Sequence, residues 1–85
     1  MNKYYLTCDF NNQKSFYNKA IVENIDDVKS LYSYNTLVAT ISKKGSVKIF
    51  NTESVTTLKH IKEFLKQNGY KAESKKQICK DYFVK

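Results

Sequence analysis

The chain has 85 residues, enough for one domain with one modest hydrophobic core and too few for a deep substrate cleft with its supporting residues. It has no proline, two glycines and twelve aromatic side chains, a composition that argues against a disordered linker. The net charge is +7 and every lysine-or-arginine position is lysine, so bidentate reading of guanine by arginine, and with it strong sequence-specific DNA recognition, is not expected.

Alternating apolar and polar residues in the first fifty positions predict four or five β-strands. The strands are predicted at residues 3–8, 16–23, 28–33, 37–42 and 46–50. A polar loop is expected at residues 9–14, a turn at residues 24–27 and a short hairpin connection at residues 43–45. Residues 28–42 fit either one long bent strand or two strands, with Asn35 as a bulge or a turn.

A helix is predicted from Ser54, a suitable N-cap, to Gly69, which fits the left-handed position that ends a helix. Its apolar residues recur at spacings of three and four and predict a core-facing stripe of Leu58, Ile61 and Leu65, with Phe64 beside it. Lysines fall on the other side, where Glu63 is expected to offset part of their charge. These lysines are Lys59, Lys62 and Lys66.

Ser74, followed three residues later by Gln77, predicts a second, shorter helix opened by a capping box. Ile78 and Tyr82 would face inward from it. The prediction is therefore a single small α+β domain over residues 1–85. It consists of an antiparallel sheet of four to five strands, one main helix packed on the sheet and a short C-terminal helix.

The charge is distributed unevenly along the chain. Residues 1–42 contain four lysines and four acidic residues, whereas residues 43–85 contain eleven lysines and four acidic residues. This asymmetry indicates an anionic partner, either a nucleic acid or an acidic protein surface, although an ordinary solvated surface gives the same pattern. The predicted binding residues are Lys43, Lys44, Lys48, Lys59, Lys62, Lys66, Lys75 and Lys76. Exposed Tyr34 or Tyr70 would add stacking against bases.

No catalytic constellation or metal-ligand spacing is visible, and no cofactor is expected. His60 is the single histidine, and we identify only Thr56 and Phe64 as its neighbours at helical spacing, so we expect a structural role at the edge of the core. Cys8 and Cys79 are expected to be reduced thiols, with a bridge between them as the alternative. Without an apolar run of signal-peptide or membrane-spanning length, the protein is expected in the cytoplasm of its host cell and not at a membrane.

Two segments carry a resemblance to a known family. Residues 33–41, which begin Ser33-Tyr34-Asn35-Thr36, and residues 54–69, which contain Thr56, Thr57, His60 and Phe64, are similar to a family of short uncharacterised proteins from phages, plasmids and other mobile elements of low-GC Gram-positive bacteria. The resemblance covers residues 30–69 and implies no known chemistry.

The leading hypothesis is a non-enzymatic binding protein of a mobile element, whose basic C-terminal half contacts a nucleic acid or a host nucleoprotein. Inhibition of a nucleic-acid-guided host defence, as by an anti-CRISPR protein, is one form of that role. The alternative is a small DNA-binding regulator in which residues 54–82 act as a helix-turn-helix. A small enzyme is a third, weaker reading.

Overall fold

The computed structural model describes residues 2–9, 16, 18–52 and 54–84. In that part of the chain it contains five strands and two helices. They are β1 (Asn2–Tyr5), β2 (Ala20–Ile25), β3 (Val28–Ser33), β4 (Thr36–Ile41), β5 (Val47–Ile49), α1 (Val55–Gln67) and α2 (Lys75–Tyr82). The strands pair antiparallel in sequential order, so the predicted α+β fold is confirmed.

Two-residue turns join the three central strands. Asp26 and Asp27 have φ of 52° and 67°, and Tyr34 and Asn35 have φ of 51° and 67°. Two successive positive φ angles are typical of the type I′ turn, whose twist matches that of the strands it connects. Residues 28–42 therefore form two strands joined by a tight turn, which decides between the two readings of the sequence. The turn predicted at residues 24–27 is shorter, because β2 pairs with β3 as far as Ile25.

The first two strands differ from the prediction. β1 ends at Tyr5 rather than at residue 8, and β2 begins at Ala20 rather than at residue 16. The backbone turns before β2, where Lys19 N–H donates to Phe16 O at 2.9 Å and Asn18 has a φ of 62°. A β-prone composition cannot reveal such a turn. Most of the loop predicted at residues 9–14 lies outside the described residues.

The ends of α1 confirm the predicted start and stop signals. Ser54 Oγ accepts a hydrogen bond from Thr57 N–H at 3.4 Å. At the other end, Tyr70 N–H donates to Leu65 O and Gly69 N–H donates to Lys66 O, which is the hydrogen-bond pattern of a Schellman motif. Gly69 has a φ of 82°, a conformation that a side chain would strain.

The hydrophobic core lies between α1 and one face of the sheet. Ile61, Phe64 and Leu65 are fully buried from the helix, and Leu31, Ala39 and Ile49 are among the buried residues of the sheet. Leu58, predicted on the same stripe, is half-buried and packs at the margin of this core. Glu63 is buried, so it lies on the core side of α1 and not among the lysines of the outer side.

The C-terminal segment closes one edge of the sheet. Ser74 Oγ accepts from Gln77 N–H at 3.1 Å, and Gln77 Oε1 accepts from Glu73 N–H at 2.8 Å, one residue earlier than a standard capping box. Ile78 is fully buried, which anchors α2 beside β5. Val84 N–H then donates to Ile49 O at 2.9 Å, so the tail occupies the outer edge of β5.

Candidate functional site

The α1 lysines, Lys59, Lys62 and Lys66, lie away from the core-facing side of the helix. Lys59 and Lys66 are exposed and Lys62 is half-buried. The core side of α1 is formed instead by residues at helical spacing, namely Thr57, His60, Ile61, Phe64 and Leu65. The packing of that side on the sheet leaves the charged ends of the α1 lysines directed toward solvent.

The β4–β5 turn lies at the C-terminal end of α1. Tyr70 Oη donates to Gly45 O at 3.0 Å, which places exposed Lys43 and Lys44 at the same end of the helix as Lys66. Gly45 has a φ of 88°, and a Cβ there would lie 2.9 Å from Tyr70 Oη, so both the turn conformation and this contact favour glycine. Tyr70 is half-buried with its hydroxyl engaged, and of the two proposed stacking residues only Tyr34 is exposed.

The other three lysines predicted to bind a partner lie away from α1 and the β4–β5 turn. Lys48 pairs opposite Thr40 and alternates with buried Ile49, so it points from the sheet face opposite α1. Lys75 and Lys76 are exposed in the first turn of α2. Cations at that position oppose the helix dipole and do not stabilise the helix. The structure therefore brings Lys43 and Lys44 to the Lys66 end of α1 and places Lys48 on the sheet face opposite that helix.

None of the eight lysines predicted to bind a partner forms an ion pair with a carboxylate in the part of the chain that the structure describes. The ion pairs found there join Lys3 to Glu23 at 3.7 Å and Lys71 to Glu73 at 3.6 Å. Neither pair uses a lysine of the predicted site. No described carboxylate therefore neutralises a lysine of that site through an ion pair.

His60 lies in the core and not at its edge, which corrects its predicted position. Only 1% of its surface is exposed. His60 Nδ1 and Ser33 Oγ are 2.8 Å apart and share a hydrogen bond, and Ser33 Oγ lies 3.1 Å from Thr57 Oγ1. The ring of Phe16 meets the imidazole edge-on, with 4.6 Å between centroids. This buried cluster joins β3 to α1 through polar side chains that satisfy one another, so we interpret it as structural.

Burial lowers the pKa of His60, and a pH-dependent stability follows. The unfolded chain, with a histidine pKa of about 6.5, binds a proton more readily than the folded chain. The free energy of unfolding should therefore fall as pH drops below about 6.5, by at most about 1.4 kcal/mol per pH unit, until the folded-state pKa is reached. Urea unfolding of the parent and of His60→Gln at about pH 7.5 and about pH 5.5 measures this. Equal losses in the two proteins would contradict it.

The two cysteines are free, as predicted. Burial, followed by the charges of Glu63 and Asp9, raises the pKa of the Cys8 thiol, which keeps it protonated and weakly reactive. The Cys79 Sγ atom lies 3.4 Å from Thr52 Oγ1. We expect a reducing agent to leave the melting temperature unchanged in a thermal scan. A marked drop on reduction would show that the thiols are bridged in solution.

The described residues offer no group of three or more His, Cys, Asp or Glu side chains placed to hold a metal ion. In the same part of the chain, no helix is both long and apolar enough to cross a membrane.

A polar cleft of about 240 Å³ lies where the β4–β5 turn meets the end of α1. Lys29, which donates to Asn68 Oδ1 at 2.5 Å, lines it together with Asp27 and Lys43.

A match to a known protein family covers most of the chain. The model of a family of unknown function, DUF8033, matches residues 4–81. The chain belongs to the DUF8033 family. The match begins within β1 and ends within α2, so it extends well beyond the segments that carried the sequence resemblance. No curated protein and no solved structure matches the chain.

Sequence reasoning missed the partners of two buried polar residues. Glu63 Oε2 accepts from Asp9 N–H at 3.1 Å and from Gln67 Nε2 at 2.6 Å. Its spacing of four from Gln67 was visible, but the contact with Asp9 spans 54 residues and no local pattern predicts it. Ser33 and His60 were both part of the family pattern, and that shared membership was the one available signal for their contact.

Proposed function

We propose that this DUF8033 protein is a non-enzymatic binding protein whose basic second half contacts a nucleic acid, either free or within a host nucleoprotein. The observation that carries the proposal is the set of lysines at α1 and at the β4–β5 turn that have no carboxylate partner among the described residues. A polyanion would neutralise several of them at once and release its condensed counterions, which makes such binding favourable.

The kind of contact follows from the residue type. Lysine is a compact charge on a flexible stem, suited to single phosphate oxygens, and it lacks the planar fork that reads guanine. With no arginine in the chain, the α1 lysines would contact the phosphate backbone. Binding of this kind depends strongly on salt and weakly on base sequence.

A finer proposal concerns biological setting. The sequence pattern at residues 33–36 and 54–69 resembles proteins of mobile elements, and this resemblance supports a phage- or plasmid-encoded protein that acts in the host cytoplasm. Inhibition of a nucleic-acid-guided defence would suit a small basic protein, since such systems expose nucleic acid that lysines can contact. A guide-directed interference assay, with and without expression of the protein, tests this: we expect interference to fall, and unchanged interference would contradict it.

The helix-turn-helix alternative gains no support from the helix connection. Seven residues, 68–74, separate α1 from α2, whereas the motif uses a turn of three or four residues. In addition, α1 packs on β3 and β4 while α2 packs beside β5. We therefore do not propose that the two helices act together as a DNA-reading unit.

Recovery of partners on the immobilised protein tests the proposed class of ligand. The immobilised parent should retain nucleic acid from a bacterial lysate at low salt, and nuclease treatment should remove that nucleic acid together with any protein bound through it. A variant with Lys59→Glu and Lys66→Glu should retain much less. Recovery of one protein in equal amounts before and after complete nuclease digestion, without nucleic acid, would contradict the proposal.

A further inference from the structure

The sheet has a second face, opposite α1, which we call the open face. None of the strand residues that point from it is fully buried, whereas the residues alternating with them in β2 to β5 form much of the core. Both helices lie on the core side, because Ile61, Phe64 and Ile78 belong to the same buried cluster as the inward residues of the sheet. The described residues thus leave one side of a five-stranded sheet exposed to solvent.

An apolar row crosses this open face. Tyr5 pairs opposite Ile21, Ile21 opposite Tyr32, and Tyr32 opposite Leu37, so the four side chains form one line over β1 to β4. With strands about 4.8 Å apart, the row is about 14 Å long and its two tyrosines are about 10 Å apart. Tyr5 is 56% exposed and Leu37 is 39% exposed, while Ile21 and Tyr32 are half-buried.

A polar row runs beside it, two residues away along β1, β2 and β3 and three residues away along β4, where a bulge adds one residue. Its members pair successively across all five strands and are Lys3, Glu23, Ser30, Thr40 and Lys48. A lysine stands at each end, and the acidic member, Glu23, lies 3.7 Å from Lys3. A shallow depression of about 270 Å³ opens between the rows and is lined by Lys3, Ile21, Glu23, Tyr32 and Asn35.

The chemistry of the two rows matches unpaired nucleotides. The exposed ring of Tyr5 and the half-buried ring of Tyr32 offer flat faces for bases, and stacking on aromatic side chains is tolerant of base identity. Lysines at the ends of the adjacent row lie where a backbone crossing the sheet would carry phosphates. Duplex bases are stacked on one another and have no free faces, so this surface favours a single strand over a duplex.

Charge favours a nucleic acid over a second copy of the chain as the occupant of this face. Two copies would each bring a net charge of +7 to a contact through the open face, and the Lys48 side chains would add like charge at the contact itself. A nucleic acid brings the opposite charge. The outer edge of β1, unlike that of β5, also has no strand or tail beside it in the described residues, which leaves Tyr5 approachable from that side.

We propose that the open face binds single-stranded nucleic acid, with Tyr5 and Tyr32 stacking on bases and Lys3 and Lys48 contacting phosphates. The class of partner rests on the function proposed above. The surface itself is new, lies across the sheet from the α1 lysines and uses residues mostly from the neutral first half of the chain.

The test compares neighbouring tyrosines on opposite sides of β1. Tyr5→Leu removes the aromatic face but keeps apolar bulk, and Tyr4→Leu makes the same change on the core side of the strand, where Tyr4 is 44% exposed. Fluorescence anisotropy with an oligothymidylate of about 12 nucleotides should show affinity about tenfold weaker for Tyr5→Leu. Affinity should be unchanged for Tyr4→Leu and close to parental for Tyr5→Phe. Affinity for a duplex should be the same in all four proteins.

Equal effects of Tyr5→Leu and Tyr4→Leu, or equal loss for duplex and single strand, would overturn the assignment of this face while leaving the α1 lysines untouched. Absence of all nucleic-acid binding by the parent would overturn the proposed function as well. Sedimentation that shows a dimer dissociated by Tyr5→Leu would assign the face to a second copy instead.

Photocrosslinking of the parent to an iodouridine oligonucleotide avoids any effect on folding: we expect crosslinks at Tyr5 or Tyr32, and crosslinks confined to α1 would overturn the proposal.

Discussion

Replacing Phe64 with alanine is expected to lower the free energy of unfolding by about 3–5 kcal/mol. Phe64 is completely buried where α1 meets the sheet, and its removal leaves a cavity among side chains that cannot fully close it. A domain of this size has a stability of about 4–13 kcal/mol, so the loss is a large share of the total. Urea unfolding followed by circular dichroism measures it.

Two substitutions on the same helix serve as controls. Val55, at the start of α1, is 72% exposed, and Val55→Ala should change stability by no more than about 0.5 kcal/mol. Leu58 is half-buried, so Leu58→Ala should lower the free energy of unfolding by an amount between those for Val55→Ala and Phe64→Ala. The sequence alone, which puts Leu58 and Leu65 on one core-facing stripe, predicts equal losses for the two leucines. A similar loss for Phe64→Ala and Val55→Ala would mean that α1 does not pack on the sheet by the face described.

Charge reversal at both exposed α1 lysines is expected to weaken nucleic-acid binding about tenfold or more at physiological salt. The double variant Lys59→Glu, Lys66→Glu removes two phosphate contacts and places two carboxylates beside the phosphate backbone. Stability should change little, because neither lysine forms an ion pair among the described residues and exposed charges contribute little to folding. Anisotropy titration gives the affinity, and urea unfolding gives the stability.

The matched control reverses two exposed lysines that belong neither to the predicted site nor to the open face. Lys19→Glu, Lys71→Glu changes the net charge by the same amount, and it also removes the exposed Lys71–Glu73 ion pair, which contributes little to stability. If α1 is a contact surface, this variant should bind nearly as well as the parent at physiological salt, where screening reduces long-range attraction beyond about 8 Å. Equal weakening in both variants would show that overall charge alone controls binding, and no weakening in either would remove α1 from the interface.

Local signals predicted the parts of the fold that depend on neighbours in sequence. Ser54, Gly69 and the apolar spacing between them specify α1, because capping and burial of one helix face act within a few turns. The hairpin at residues 43–45 was also predicted from a local signal, a short connection ending at Gly45 between two segments of alternating polarity. The Asp26-Asp27 turn was placed only approximately, because residues other than glycine can adopt the positive φ angles that a two-residue turn needs.

The parts that could not be predicted depend on contacts between distant residues. The burial of His60 rests on Ser33, 27 positions away, and the burial of Glu63 rests in part on the backbone of Asp9. The register of the sheet places Lys48 on the side opposite α1. The sequence identified Lys48 only as one of eight candidate binding lysines and did not predict which face of the sheet it occupies. The same register aligns Tyr5 with Tyr32 across the open face, a relation that appears once strand order is known.

The salt dependence of nucleic-acid binding by the unmodified protein tests the central claim most directly. Dissociation constants for a short duplex and for an oligothymidylate are measured between about 50 and about 200 mM salt. If lysines of the basic half contact the backbone, the logarithm of the binding constant should fall linearly with the logarithm of salt concentration. The slope should be about −0.9 for each duplex phosphate neutralised and about −0.7 for each single-strand phosphate. No measurable binding at the lowest salt, or binding with a slope near zero, would contradict the account.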